Sequence, residues 1–217
     1  MERVYYRYIF RLKSPLALGS GISDNTDSDV LLDSRGVPYI PATSIAGVIR
    51  HSVDEDTARE LFGTIQNGSG EMSKVLTYDA VCTGENAVSV RDSVRLNNKV
   101  AEDTGKFDFE AGGGAESRGY IELADCGADG DSVINEAFQK INAGLLRFGH
   151  KTTRGYGTVA VEGLQRIGFS DADDWLDFDM FDDECWKNAQ AVELTKPSDL
   201  AETAGRYFDT QVFHGCF

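Results

Sequence analysis

From Ala137 to Val161 the chain carries four cations, Lys140, Arg147, Lys151 and Arg154, and no carboxylate, although the whole sequence holds 36 acids against 21 bases. Gly144, Gly149, Gly155 and Gly157 punctuate the same stretch. Glycine tolerates positive φ and lets a backbone approach its neighbours closely, so this reads as a tight loop feeding the β-like run Gly157 to Val161. Local positive charge on an acidic molecule suits a phosphodiester backbone, with Arg147, Lys151 and Arg154 as the contacts. The spacing matches neither the phosphate-binding P-loop nor the dinucleotide fingerprint, which argues against a nucleotide cofactor. Taken alone, the loop has a second reading as a solvated hairpin.

The length of 217 residues fits one domain with insertions or two small ones. The net charge of -15 is uneven: residues 1–166 account for -6 and residues 167–217 for -9. Asp171 to Glu184 interleaves acids with Trp175, Leu176, Phe178, Met180 and Phe181, the pattern of an amphipathic segment that docks on something. No apolar run has the length to cross a bilayer, and Tyr5 to Arg11 alternates polar and apolar residues instead of forming a signal-peptide core, so the expectation is a cytoplasmic protein without a membrane partner. Cys82, Cys126, Cys185 and Cys216 form no C-x-x-C pair and read as free, mostly buried thiols.

Arg3 to Lys13 alternates as a first strand, with Val4, Tyr6, Tyr8 and Phe10 on one face. Val30 to Ile40 reads as a small hairpin around the turn Asp33 to Gly36. Pro41 and Thr43 mark a helix start, followed by an apolar stripe at Ile45, Val48, Ile49 and Val53. Val75 to Val81 is a second strand, residues 84–118 a protruding hairpin, and Gly119 to Leu123 a third strand. Asp131 to Leu145 suits a second helix and Gly157 to Val161 a last strand. The order β, α, β, β, α, β defines an α+β class: a ferredoxin-like or RRM-like antiparallel sheet with helices on one face and an inserted β-hairpin.

Asp24, Asp27, Asp29 and Asp33 form a carboxylate cluster in a polar loop that could bind a divalent ion through oxygen or orient a hydroxyl. Their spacing is not that of an EF-hand, and a solvated acidic loop is the alternative. His51, His150 and His214 lie far apart in sequence with structural roles as the default, and His214 with Cys216 supplies only two metal donors. Arg91, Arg95 and Lys99 on the projection, with Val94 and Leu96 between them, could contact phosphates and wedge between bases.

With these segments in view, the chain resembles the RAMP superfamily of CRISPR-associated proteins, and in particular the repeating backbone subunit of type III effector complexes. Four motifs carry the likeness in order. Val37 to Arg50 resembles the family's helix start, with Ala42 where glycine is usual and Ala46 where lysine is common. Leu61-Phe62-Gly63 is similar to a family Leu-Phe-Gly element, Val90 to Leu96 with Gly105 to Glu110 looks like its thumb, and the basic loop resembles its C-terminal glycine-rich loop. The likeness covers residues 3 to about 165, which implies a RAMP/RRM-like domain over 1–166 with a thumb insertion at about 84–118, and leaves 167–217 as an acidic extension of unknown role.

The resemblance implies a guide-RNA-binding subunit that cleaves complementary target RNA. Asp27 to Gly36 is similar to the loop whose aspartate is needed for cutting, which makes Asp27 the catalytic candidate and the candidate ligand of a divalent ion such as Mg²⁺. The guide would be held by Thr43, Ser44, Arg50, Arg147, Lys151 and Arg154, and the guide–target duplex splayed by a thumb carrying Arg91 and Arg95. Implied partners are the CRISPR guide RNA, target RNA and other subunits of a type III complex. Two alternatives stand beside this metal-dependent endoribonuclease: a structural RNA-binding subunit of the same complex, and a precursor-CRISPR-RNA processing enzyme using His51 as general base.

Overall fold

The computed structural model describes residues 2–21, 26, 28–66, 69–84, 87–97 and 100–195. Eleven strands and four α-helices follow in chain order: β1 (Arg3–Leu12), β2 (Tyr39–Ile40), α1 (Ala42–Arg50), α2 (Glu55–Phe62), β3 (Thr64–Gln66), β4 (Ser69–Glu71), β5 (Val75–Thr77), β6 (Ala80–Thr83), β7 (Ala87–Asn97), β8 (Val100–Gly113), β9 (Glu116–Ala124), α3 (Gly127–Asn142), β10 (Val159–Phe169), α4 (Ala172–Leu176) and β11 (Gln190–Ala191). The main sheet runs β11-β10-β1-β9-β6-β2, with β5 also paired to β9. Every pairing in it is antiparallel. The protein is therefore a mixed α/β molecule built on one large antiparallel sheet.

Alternation in β1 sets the two faces of that sheet. Val4, Tyr6, Tyr8 and Phe10 are buried and pack in one apolar core with Ile45 and Ile49 of α1 and Ile134, Phe138 and Ile141 of α3. The Tyr8 and Phe138 rings lie 5.1 Å apart, and burial pushes the Tyr8 phenol well above its ordinary range. Asp131 of α3 receives both the Arg166 guanidinium, at 3.0 and 2.6 Å, and the Tyr6 hydroxyl at 2.6 Å. The bidentate pair joins α3 to β10, and the Tyr6 bond joins it to β1.

Three sequence expectations are corrected. The strand expected over Val75 to Val81 divides at Tyr78 and Asp79 into β5 and β6, and Asp79 instead accepts a hydrogen bond from the Ala42 N–H at 2.7 Å, capping α1. The second helix begins at Gly127 and stops at Asn142. Gly144, at φ +73°, sends its N–H to Ile141 and the Leu145 N–H follows to Lys140, a Schellman closure that ends the helix before Leu145. The last strand spans Val159–Phe169 because it pairs with the full length of β1.

β7 and β8 form a separate two-stranded antiparallel ribbon. Leu16 exchanges both backbone hydrogen bonds with Gly112 at its base, at 2.8 and 2.9 Å. Residues 172–189 cover the sheet face opposite α1 and α3, where Tyr5, Tyr120 and Trp186 form a second core packed against Trp175 and Phe178. The acidic-aromatic segment thus docks on its own sheet, and β10 runs past residue 166 into it. Asp183 pairs with Arg118 at 3.0 Å and with Arg7, whose guanidinium lies 4.8 Å from the centre of the Trp186 ring. Among the described residues no helix is long and apolar enough to cross a membrane.

Candidate nucleic-acid interface

The basic loop is anchored before it is functional. Phe148 is fully buried, its ring 5.4 Å from Phe10. The residues around it clamp onto the chain that leaves β1: the His150 N–H donates to Ala17 O at 2.7 Å and the Gly157 N–H to Pro15 O at 3.0 Å. Gly149 (φ +82°) and Gly157 (φ +77°) stand where a Cβ would strike the Ala17 and Phe148 carbonyl oxygens respectively. Glycine is therefore required twice by close backbone approach as well as by φ.

Between this loop and α1 lies an open groove of about 730 Å³. Helix α1 presents Ser44, Gly47, Val48 and His51 to it, an i, i+3, i+4, i+7 face, and the loop contributes Leu145, Arg147 and His150. Among the described residues no carboxylate lines it. Arg147 sends its Nη1 to Thr152 O at 2.6 Å and its Nε to Gly144 O at 3.3 Å, which holds the loop closed with the guanidinium still exposed. Arg154 is exposed, and no ion pair among the described residues involves Arg147, Lys151 or Arg154. Arg147 is thus the one Lys or Arg among the described residues that lines the groove, and Arg154 lies outside its lining; an apolar floor beside an exposed guanidinium fits a polyanion with flat, stackable groups.

The other candidates are dispersed. Lys151, a left-handed residue at φ 57°, turns away from the groove and places its ammonium 4.0 Å from the Phe109 ring centre and 4.9 Å from that of Phe107. Burial there, followed by the nearby Arg154 charge, lowers its pKa. It thereby links the loop to the base of the ribbon. Arg50 donates to the Gly63 carbonyl at the end of α2, at 3.2 Å, and does not line the groove. Thr43 is exposed at the start of α1, where the Asp79 carboxylate already occupies the Ala42 amide, so a phosphate would share that helix start with an acid. Arg91 is exposed on β7 opposite Phe109. Asp27, Asp24 and the Arg95 side chain lie outside the described residues, as do His214 and Cys216.

The flanking carboxylates are engaged. Asp29 is buried and accepts from the Thr26 N–H and hydroxyl at 2.8 and 2.9 Å. Asp33 accepts from the Val37 and Arg35 amides and the Arg35 guanidinium, each at 2.9 Å, and the Val37 bond foremost holds its pKa below the usual carboxylate range. Among the described residues no group of three or more His, Cys, Asp or Glu could hold a metal ion. Asp29 and Asp33, each already hydrogen-bonded, do not by themselves form a divalent-ion cage.

His51 and His150 are the residues that sequence reasoning placed in structural roles and the fold brings to the groove. For His51 a signal existed: it continues the helical face of Ser44, Gly47 and Val48 by one turn. For His150 only the loop's closure on Ala17 places it.

Helices α1 and α3 on one face of an antiparallel sheet, with a groove free of carboxylates among the described residues where α1 meets a glycine-rich loop, define an α+β protein suited to polyanions. The chain belongs to the RAMP superfamily, whose profile matches residues 9–160. It is similar to a chain of a cryo-EM structure of the Type III-B Cmr-beta bound to cognate target RNA, at 18% identity and TM-score 0.59, covering 76% of this chain and 61% of that one. A Type III-B Cmr-beta chain in the apo state aligns at 13% identity and TM-score 0.55, over 73% of this chain and 96% of that one. At such identities the likeness is one of fold. No curated protein matches.

Proposed function

We propose that this protein is a guide-RNA-binding backbone subunit of a type III CRISPR effector complex that cleaves complementary target RNA. The groove between α1 and the basic loop, lined by Arg147 and by no carboxylate among the described residues on a molecule of net charge -15, carries the reading. RAMP membership and the likeness to Type III-B Cmr-beta chains, one of them bound to cognate target RNA, support it. In this reading the β10-β1-β9-β6 core with α1 and α3 on one face is ferredoxin-like, and the β7–β8 ribbon is the thumb, offering Arg91 and Arg95 to the target strand.

Guide phosphates run past Ser44, Arg147 and Arg154 with Thr43 at the rim, while bases rest on the apolar floor. Lys151 couples loop to thumb through Phe107 and Phe109. Cleavage falls to Asp27, which orients the 2′-hydroxyl of a flipped nucleotide in line with the adjacent phosphorus. The hydroxyl proton passes to Asp27 as the new O–P bond forms, the bond to the 5′-oxygen breaks, and that oxygen is protonated by water, leaving a 2′,3′-cyclic phosphate.

In the assembled complex Asp27→Ala should abolish target cleavage and leave RNA affinity unchanged within about twofold, since one hydroxyl contact contributes little to a polyanion interface; cleavage at the wild-type rate removes the assignment. Running the wild type with and without Mg²⁺ decides metal dependence. Because Asp29 and Asp33 are already hydrogen-bonded, a purely structural subunit is the second reading, and intact target with the wild-type chain selects it. Arg154→Ala should weaken guide RNA binding roughly tenfold and lower the salt slope of log affinity by about 0.7, one phosphate contact on a single strand. Equal slopes would show that no RNA phosphate rests on Arg154.

A further inference from the structure

A second recess opens on the opposite face of the sheet, within the acidic cover. It encloses about 320 Å³ and is walled by Tyr5 and Tyr78 from the sheet side and Trp175, Phe178 and Phe181 from the cover, with Glu122 and Asp179 also lining it. The Tyr5 and Phe178 ring centres are 4.8 Å apart, and Tyr78 and Phe181 meet edge to face at 6.2 Å. Glu122 is 7% exposed and accepts from the Tyr78 hydroxyl at 3.2 Å. Burial and then the Glu122 charge push the Tyr78 phenol up to about 12, so the recess disfavours a second negative charge.

The recess already seats one guanidinium. Arg3 is ion-paired with Glu122 and lies 5.2 Å from the centre of the Trp175 ring. Arg3 and Glu122 offset each other, which leaves Asp179 as the lining charge with no ion-pair partner among the described residues. Around the mouth the cover sequence from Asp171 to Ala191 holds eight acids and a single cation, Lys187, which is itself paired with Glu184. Yet Leu176 is 71% and Phe181 64% exposed there. An acidic rim would repel a phosphodiester, and two large apolar side chains held out of the core are unlike an ordinary solvated face.

We propose that this recess is a docking point for a basic segment of a protein partner, which places an arginine or lysine side chain against Tyr78, Phe178 and Phe181 beside Asp179 and covers Leu176 with an apolar neighbour. Ring faces attract cations, Asp179 supplies the counter-charge, and arginine flanked by apolar residues is a common interface anchor. The surface lies across the sheet from the groove, so the proposal holds whether or not the groove binds RNA.

The test follows the indole N–H signal of Trp175 by NMR in the ¹⁵N-labelled full chain during titration. The probes are the peptide Ac-Leu-Arg-Leu-NH₂, its neutral counterpart Ac-Leu-Gln-Leu-NH₂, and oligouridine. The arginine peptide should give a saturable shift about fivefold tighter than the glutamine peptide, the size of one exposed cation–π or ion-pair contact. Asp179→Asn keeps an acceptor for the Phe181 N–H, bonded at 2.9 Å, and removes only the charge; it should lose that preference, and Phe181→Ala should weaken both peptides. Absence of a saturable shift, equal affinity for the two peptides, or an undiminished preference in Asp179→Asn overturns the proposal. A shift of the same signal by oligouridine would assign the face to nucleic acid and overturn it as well.

Discussion

Gly157→Ala should destabilise the protein by more than about 3 kcal/mol and eliminate the guide RNA binding we propose, read by thermal unfolding and by filter binding of RNA. At φ +77° any Cβ is strained, and here it would also meet the backbone oxygen of Phe148. That oxygen has nowhere to retreat: the Phe148 N–H donates to Gly157 O at 2.9 Å and the Phe148 ring is fully buried against Phe10. Gly155 is the internal control, because its φ of +90° is as unusual but nothing lies within 4 Å of its added Cβ. Gly155→Ala should therefore cost only about 1 kcal/mol, the conformational share alone. Equal stability of the two variants would show that close packing of the loop on Phe148 is not what shapes the groove.

Trp186→Ala should cost about 3 to 5 kcal/mol and release the acidic cover from the sheet. The indole is 1% exposed, donates to Met180 O at 2.8 Å, and lies under the Arg7 guanidinium. Its loss removes the anchor that keeps Asp183 beside Arg7 and Arg118. With Arg7 and Arg118 no longer held by the cover, the variant should gain salt-sensitive, sequence-independent affinity for oligouridine beyond that of the wild type. Differential scanning calorimetry and a salt titration read the two effects separately. A variant as stable as the wild type, with no added affinity, would mean that the cover is held elsewhere.

Much of the architecture was legible in the chain because it follows from local geometry. The burial of Val4, Tyr6, Tyr8 and Phe10 is the period-two alternation of β1, and α1 shows its apolar stripe at Ile45 and Ile49. The extended pairing of β7 with β8 lies within the expected projection at residues 84–118. The amphipathic character of Asp171 to Glu184 pointed to a docked segment, though not to its acceptor. Where local pattern misled, a tertiary partner had taken over: Asp79 left a strand to cap α1. Lys151 faces the ribbon because its left-handed backbone turns it there and two phenylalanines receive it.

By itself the sequence determined which side chains point inward and where positive charge escapes the acidic background, since strand and helix periods and formal charges depend only on order along the chain. Tertiary structure alone decided that Ser44, His51, Arg147 and His150 share one groove while the acids of the cover gather on the other side of the sheet. The reason is physical: antiparallel pairing of β10 and β9 on either side of β1 folds segments from both halves of the chain together, and no local pattern encodes which loops meet at the end of a sheet.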